Sequence, residues 1–231
     1  MQASFDAALF AGNHEMANHS YSHGMNLGKR ETLEEAYAQM ADGENTLEYY
    51  YGKEVRGVAY PYGKPSKWFG DITQYLLNRQ NLYARCSTNG NFDVPEDFME
   101  WDFTCHHDYL YSEAKDYANK FFNLLPDDGT LKVLSVWGHP YNFEPVVDDT
   151  TGEVTRAETW STILEPFAST IEEKTERGEV WNPTNIELVE YINAVNTLVI
   201  SEDCVYNPSD VDVYVKINGA EVVVPAGGTI Y

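Results

Sequence analysis

The chain has 231 residues, which is enough for one large domain or for one domain with an appendage. Hydrophobic residues make up 43% and charged residues 23%, a composition typical of a globular protein. The formal net charge of −22 argues against nucleic acid and against an anionic membrane surface as partners, because both bind a cationic face.

The sequence as given contains neither a membrane-spanning nor a secretory segment. A run of about 18 apolar residues, which a transmembrane helix needs, does not occur. The N-terminal residues lack the basic and apolar regions of a signal peptide. The default expectation is therefore a cytoplasmic protein, and a true start upstream would remove that expectation.

Short apolar segments alternate with amphipathic ones along most of the chain. Thr32 and Glu35 form a capping-box pattern, which predicts a helix from there toward Tyr51. Strands are predicted over residues 55–60, 82–86 and 132–137, and further helices over residues 66–78, 112–125, 158–176 and 185–198. Strands separated by helices indicate parallel βαβ units and an α/β fold.

The pattern changes after residue 198, where only strands are predicted. Residues 211–217 alternate with a period of two, Asn218-Gly219 is a type I′ turn signal, and residues 221–224 follow as the partner strand. The sequence thus predicts an α/β domain over residues 1–199 and a small β-hairpin appendage over residues 200–231.

Three of the six histidines lie within ten residues, and two of these have the spacing of metal ligands. His19 and His23 are at positions i and i+4, so on one helical turn both imidazoles would point the same way and could share an ion. Pairs with this spacing also arise by chance, and the spacing alone leaves the role open.

The surrounding run G-N-H-E-M-A-N-H-S-Y-S-H resembles the second motif of the polysaccharide deacetylase family, the metal-dependent deacetylases of N-acetylated sugars. The resemblance implies a distorted (β/α) barrel that hydrolyses N-acetyl groups on amino-sugar polymers or oligomers. It also implies that His19 and His23 are metal ligands and that His14 is not. The expected cofactor is a divalent metal ion, Zn²⁺ first, with Co²⁺ or Ni²⁺ as alternatives, and the expected partner is a carbohydrate.

A second block, Ala59-Tyr60-Pro61-Tyr62-Gly63, resembles the family's third motif. There the resemblance implies that the backbone N–H of Tyr62 helps to bind the oxyanion that develops on the substrate. Ala59 stands where many members have an arginine that orients the catalytic base. Arg85, at the end of the next predicted strand, either supplies that positive charge or is an ordinary surface or capping arginine.

Two further blocks supply the remaining candidates. Val136-Trp137-Gly138-His139 resembles the family's last motif, which implies that His139 is the general acid toward the leaving amine, a structural histidine being the alternative. His106 and His107 line the substrate groove, approach the metal, or are structural. The remaining candidates for substrate binding are mostly aromatic and would form a sugar-binding groove with Tyr62: Tyr60, Pro61, Trp101, Trp137 and Tyr141.

The family's first motif, T-F-D-D, does not occur in the 231 residues, and it supplies the catalytic base and the third metal ligand. Asp6 lies too close to His19 to belong to a separate strand and helix, so we reject it as that base. We therefore expect an N-terminally truncated barrel with little or no deacetylase activity, and an extended chain that carries the motif is expected to be active. A non-catalytic carbohydrate-binding or structural remnant of the same fold is the alternative. Exposed strand edges would favour a homo-oligomer, or completion by strands from another chain.

Overall fold

The structure, a computed structural model, describes residues 14–124, 130–156 and 159–231, and for residues 155 and 156 the backbone alone. Asp6 lies outside these residues. The α-helices of the described part are α1 (Leu33–Tyr51), α2 (Phe69–Asn78), α3 (Tyr117–Phe122), α4 (Glu165–Glu176, preceded by a π-helical turn over Trp160–Leu164) and α5 (Asn185–Thr197). The strands are β1 (Gly57–Ala59), β2 (Tyr83–Thr88), β3 (Trp101–Phe103), β4 (Cys105–His106), β5 (Val136–Trp137), β6 (Val146–Val147), β7 (Val154–Arg156), β8 (Val199–Ile200), β9 (Val205–Tyr206), β10 (Val213–Ile217), β11 (Ala220–Val224) and β12 (Thr229–Ile230).

Local capping signals fix the ends of the two helices that flank the parallel strands. The Thr32 side chain accepts a hydrogen bond from the Glu35 backbone N–H, and the Glu35 carboxylate accepts one from the Thr32 backbone N–H, so the predicted capping box of α1 is confirmed. Helix α5 begins with the same arrangement between Thr184 and Glu187. These boxes satisfy backbone N–H groups that a helix N-terminus otherwise leaves without partners.

Strands β1 to β5 pair in parallel, whereas β6 and β7 form an antiparallel pair. Strand β1 pairs with β2, and β2 pairs with β3, while β4 pairs with β5. On the outer side of β1, the Asn18 N–H donates to the Gly57 carbonyl and the Ala59 N–H donates to the Asn18 carbonyl, both at 2.8 Å. The predicted α/β class is confirmed by this alternation of helices and parallel strands.

A closed barrel is not formed by the described residues, so the predicted barrel remains unconfirmed. The extended segment from Trp101 to His106 pairs with β2 through its first half and with β5 through its second half. The ladder changes partner at Thr104, whose hydroxyl accepts a hydrogen bond from the Ser135 backbone N–H at 3.0 Å. The parallel pairs form an open, broken array whose strands end at a common edge.

Strand β5 and helix α3 are among the predicted elements that are shorter in the structure. Strand β5 contains two residues and not the predicted 132–137, because the Val133 N–H donates to the Phe92 carbonyl and Lys132 bridges to Asp93 instead. Helix α3 begins after Asp116, whose φ of 48° is left-handed, and so does not extend back to residue 112. Residue 125, at its predicted end, lies outside the described part of the chain.

Antiparallel strands make up the C-terminal part of the chain. Strands β10 and β11 form the predicted hairpin, and positive φ values at Asn218 (51°) and Gly219 (83°) confirm the turn between them. Strands β8, β9 and β12 form a second antiparallel sheet. The Tyr214 backbone N–H donates to the Tyr191 hydroxyl of α5 at 3.4 Å, which joins the hairpin to the last helix. The domain boundary at residue 199 stays a prediction.

The core lies between the helices and the parallel strands. Helices α1 and α2 cover one face with a cluster that includes Met40, Val58 and Leu76, all fully buried. Helix α5 contributes Leu188 and Val189 to a second cluster with Tyr83 and Trp101. In the described residues, no helix is long and apolar enough to cross a lipid bilayer.

Candidate active site

The histidine pair lies on an irregular loop that follows Asn18. The two imidazole ring centres are 4.6 Å apart and the planes are tilted by 54°. The segment is not the helical turn that the i,i+4 spacing suggested, because Ser20 (φ 64°) and His23 (φ 49°) are both left-handed. The backbone reversal at these two residues brings the rings together without a helix.

A hydrogen bond fixes the orientation of His19. Its Nδ1 lies 2.6 Å from the carbonyl oxygen of Ala59, so Nδ1–H is the donor and the lone pair is on Nε2. The neighbouring Asn18 is buried, and its side-chain amide donates to the Met40 carbonyl at 2.8 Å. The buried Asn18 and the strand-end carbonyl together hold His19 at the carboxyl edge of β1.

The electrostatic surroundings keep His19 neutral near neutral pH. Although the side chain keeps contact with solvent, desolvation by the surrounding protein lowers the pKa of His19. The hydrogen bond to Ala59 opposes this shift in pKa, and the nearby imidazoles of His23 and His139 add to it. The neutral imidazole is the form that binds a metal ion.

The turn after β1 carries the exposed Tyr62. The Gly63 N–H donates to the Tyr60 carbonyl at 3.0 Å, with Pro61 at the second position and Tyr62 (φ 61°) at the third, as in a type II turn. A left-handed non-glycine residue stores local strain, which is a feature of functional sites. The Tyr62 ring lies 4.9 Å from the His23 ring, and its hydroxyl donates to the His23 carbonyl at 3.3 Å.

His139 follows β5 at the same edge and belongs to a row of rings. The row runs in the order His107, His106, Trp137, His139 and Tyr141. The centres of successive rings in this order are 4.0, 4.5, 5.5 and 4.8 Å apart. The His139 ring is near enough to His19 to contribute to the lowering of the His19 pKa. The structure thus brings His19, His23 and His139 to one edge.

Arg85 is buried, which excludes the interpretation that it is an ordinary surface arginine. Its side chain donates to Asn185 Oδ1 at 2.9 Å and to the Ser135 hydroxyl. The guanidinium carbon also lies 3.7 Å from the Phe103 ring centre and 4.5 Å from that of Trp101. Burial lowers the pKa of Arg85, but an arginine remains charged at neutral pH.

Part of the predicted aromatic groove is core instead. Tyr60 and Trp101 are each 3% exposed, and Pro61 is buried as well. Tyr60 packs among the apolar side chains under α1 and α2, while Trp101 packs edge-to-face against Tyr83. These three residues therefore do not present a face to a sugar in solution, whereas Tyr62 and Tyr141 do.

A second cluster of potential ligands follows β4. His106 Nδ1 lies 3.3 Å from one oxygen of Asp108, and His107 Nε2 lies 3.2 Å from the other. Desolvation lowers the pKa of His106, and the nearby imidazole of His139 lowers it further. The carboxylate of Asp108 opposes this shift and raises the pKa of His106. Burial raises the pKa of the neighbouring Cys105 thiol to about 12, and this side chain packs in an apolar cluster with Leu110 and Ala118.

A buried polar network was not predicted from the sequence. The Tyr83 hydroxyl donates to Glu15 Oε1 at 2.5 Å, and the other oxygen of that carboxylate accepts from the Ile186 backbone N–H at 3.0 Å. The Asn185 amide reaches the Tyr83 hydroxyl at 3.5 Å and so links this network to Arg85. The sequence signal that could have indicated this network is Glu15, an acidic residue inside the histidine-rich block.

A cavity in the described part of the chain lies away from this edge. It encloses about 750 Å³ between β5, α4 and α5, and Phe167, Trp181 and Leu188 contribute to its wall. Arg85 and Trp101 border it, but none of the histidines does. Because the groups able to bind a metal or move a proton lie outside it, the strand edge and not this cavity is the candidate active site.

Comparison with known proteins agrees with the first two sequence blocks. The sequence model of the family described as Polysaccharide deacetylase matches residues 5–80. This match, over 76 of the 231 residues, confirms the resemblance of this segment to the polysaccharide deacetylase family. The matched segment contains His19, His23 and Tyr62, while Arg85 and His139 lie beyond it. No curated protein and no solved structure matches the chain.

Proposed function

We propose that this protein hydrolyses N-acetyl groups on amino-sugar polymers or oligomers with the help of a divalent metal ion. The observation that carries the proposal is the orientation of His19, whose Nδ1–H donates to Ala59 and whose Nε2 is left for an ion beside the His23 ring. A backbone carbonyl that accepts from the second ring nitrogen is the usual partner of a metal-binding histidine.

The histidine pair fits two positions in the coordination sphere of a divalent ion. Ring centres 4.6 Å apart allow one nitrogen from each ring to approach the same point, and neutral imidazole suits Zn²⁺, Co²⁺ or Ni²⁺. We expect Zn²⁺. When bound, such an ion supplies Lewis-acid polarisation and a nucleophile at neutral pH.

The residues around the pair suit the remaining parts of amide hydrolysis. In the described part of the chain, the Tyr62 backbone N–H has no hydrogen-bond acceptor, so it can donate to the substrate oxygen as negative charge develops there. His139 is half-buried, is near enough to His19 to lower its pKa, and would protonate the leaving amine nitrogen. Arg85 supplies positive charge to the site at longer range, because its buried guanidinium lies behind the strand edge.

The exposed rings near His139 suit a sugar. Tyr141 stacks on His139 with an angle of 18° between the ring planes, and Trp137 presents its edge to the other side. The Trp137 indole N–H donates to the Thr88 hydroxyl at 2.9 Å, which fixes its position. We propose that Trp137, Tyr141 and His106 contact the pyranose ring, for which a flat aromatic face is a common partner.

A non-catalytic carbohydrate-binding protein is the second candidate, favoured by one observation. The T-F-D-D motif is missing from the given sequence, so the family's aspartate base and third ligand are missing with it. Loss of a positioned general base lowers rates by about 10²–10⁴-fold. We therefore expect the 231-residue chain to have little turnover, with any residual activity dependent on zinc.

Acetate release from N-acetylated chito-oligomers, measured together with oligomer binding, separates the two candidates. Deacetylation predicts slow acetate release with added Zn²⁺, its loss with a chelator, and its loss in His19→Ala but not in His14→Ala. The assay should detect acetate release at a rate about 10⁴-fold below a typical turnover number. If the oligomer binds and no zinc-dependent acetate release is detected at that sensitivity, the non-catalytic protein is supported instead.

A further inference from the structure

We propose that His106, His107 and Asp108 form a second divalent-cation site, distinct from the histidine pair. Among the described residues, these are the one group of three or more His, Cys, Asp or Glu side chains whose ligand atoms all lie close enough to share an ion, within 4.8 Å of one another. Two imidazole nitrogens and a carboxylate form a donor set that suits Zn²⁺, Co²⁺ or Ni²⁺.

The distances between the donor atoms are those of a coordination sphere. With metal–ligand bonds of about 2.0–2.1 Å, two ligands of a tetrahedral ion lie about 3.3 Å apart. His106 Nδ1 lies 3.3 Å from one carboxylate oxygen of Asp108, and His107 Nε2 lies 3.2 Å from the other. One ligand atom from each of the three residues lies within 4.8 Å of the other two, and a rotation of the half-buried His106 ring can shorten these separations.

The backbone explains how three successive residues can face one point. His106 ends β4, and a 3₁₀ turn over His107–Tyr109 follows at once. On a continuous strand the side chains of neighbouring residues point to opposite faces. The turn removes that alternation, so that the His106 and His107 ring centres lie 4.0 Å apart.

One histidine of the trio is held rigidly and the carboxylate is accessible. The His107 ring is buried, and it fits against Gly138, where an added Cβ would overlap the ring. The Asp108 side chain is 45% exposed, which leaves an approach for a hydrated ion from solvent. A fixed inner ligand beside an accessible carboxylate is the arrangement expected of a metal site with an open position.

The trio is separate from the histidine pair. The Trp137 ring lies 4.5 Å from the His106 ring of the trio and 5.5 Å from the His139 ring, and the trio shares no donor with the pair His19 and His23. Each site thus has its own donors, and a fully loaded chain would hold two ions.

Titration of the metal-free protein with Co²⁺, followed by its visible absorption, and with Zn²⁺, followed by calorimetry, tests the proposal. We expect two ions per chain. Asp108→Asn and His106→Gln should remove one ion, or weaken it by about tenfold or more, since even outer partners of metal ligands contribute about 10–100-fold in affinity. The matched controls Asp149→Asn and His14→Gln, both at exposed positions, should leave the titration unchanged.

A variant of the histidine pair separates the contributions of the two sites to the metal titration. His19→Ala should retain one ion, and the absorption of that Co²⁺ should disappear when Asp108→Asn is added. Far-ultraviolet circular dichroism checks that each variant is folded. If the titration of folded Asp108→Asn and His106→Gln equals that of the wild type, or if His19→Ala binds no ion, the proposed second site is wrong.

Discussion

The Nδ1 atom of His19 lies 2.6 Å from the carbonyl oxygen of Ala59, at the carboxyl end of β1. This contact joins two segments 40 residues apart in the sequence and determines which nitrogen of His19 is available. The same strand end leads directly into the turn that carries Tyr62, so a single backbone region orients the first metal-binding candidate and presents the proposed oxyanion donor.

Replacement of His19 by glutamine should weaken zinc binding at the histidine pair. Glutamine can keep a hydrogen bond to Ala59 but offers no imidazole lone pair, so we expect affinity at this site to fall by about tenfold or more. Calorimetric titration of metal-free protein at neutral pH measures the effect. His14→Gln is the control, and an equal loss in both variants would show that the His19 imidazole is not a specific ligand.

The stability of the metal-free protein should fall as the pH falls below the ordinary histidine pKa. Desolvation lowers the pKa of His19 and of His106 from the ordinary value of 6.5, so the unfolded chain binds protons more readily than the folded chain does. The free energy of unfolding should therefore decrease as the pH is lowered from 6.5 through the folded-state values.

Urea unfolding in the presence of a chelator, at about pH 7.5 and about pH 5.5, measures this dependence. The double variant His19→Gln/His106→Gln should lose less stability between the two pH values than the wild type does. An equal loss in the two proteins would mean that other groups, and not these histidines, carry the pH dependence.

Gly138→Ala should destabilise the protein, because the new Cβ would overlap the His107 ring. Overpacking of a buried site costs about 1–3 kcal/mol. Gly70→Ala is the matched control: its Cβ would have open space, and alanine stabilises a helix relative to glycine by about 0.5–1 kcal/mol. Urea unfolding of both variants gives the comparison, and an unchanged midpoint in Gly138→Ala would contradict the close approach of ring and backbone.

Arg85→Lys should cost about 2–3 kcal/mol of unfolding free energy. Lysine cannot make the two directed hydrogen bonds to Asn185 and Ser135 and still stack on Phe103, and it leaves buried polar groups without partners. Arg177→Lys, on the surface of the chain after α4, should change stability by less than about 0.5 kcal/mol. Similar values for the two variants would show that Arg85 is not specifically held.

The sequence predicted the elements that depend on local signals. Thr32 with Glu35 fixed the start of α1, and Asn218-Gly219 fixed the turn of the hairpin, because each acts through neighbouring backbone groups. Strand β5 was predicted too long, because Lys132 and Val133 pair with the distant Asp93 and Phe92. Such tertiary partners leave no signal in a local pattern.

The candidate site was predicted in part for the same reason. The motif residues His19 and His23 do lie side by side, but the left-handed backbone at Ser20 that brings them together replaces the helical turn inferred from their spacing. Aromatic content indicated a groove but could not distinguish the buried Tyr60 from the exposed Tyr141, because burial depends on which neighbours cover each ring. The approach of Asp108 to the preceding histidines depends on a 3₁₀ turn that no motif indicated.

The most direct test of the central claim, that His19 and His139 serve one zinc-dependent site, is a comparison of zinc affinity and acetate release in three histidine variants. We expect His19→Gln to lose both zinc binding at the pair and acetate release. We expect His139→Gln to keep zinc affinity and KM for the oligomer while kcat falls by about 10²–10⁴-fold, and His14→Gln to match the wild type. Acetate release that persists in His19→Gln, or that is unchanged in His139→Gln, would contradict the account.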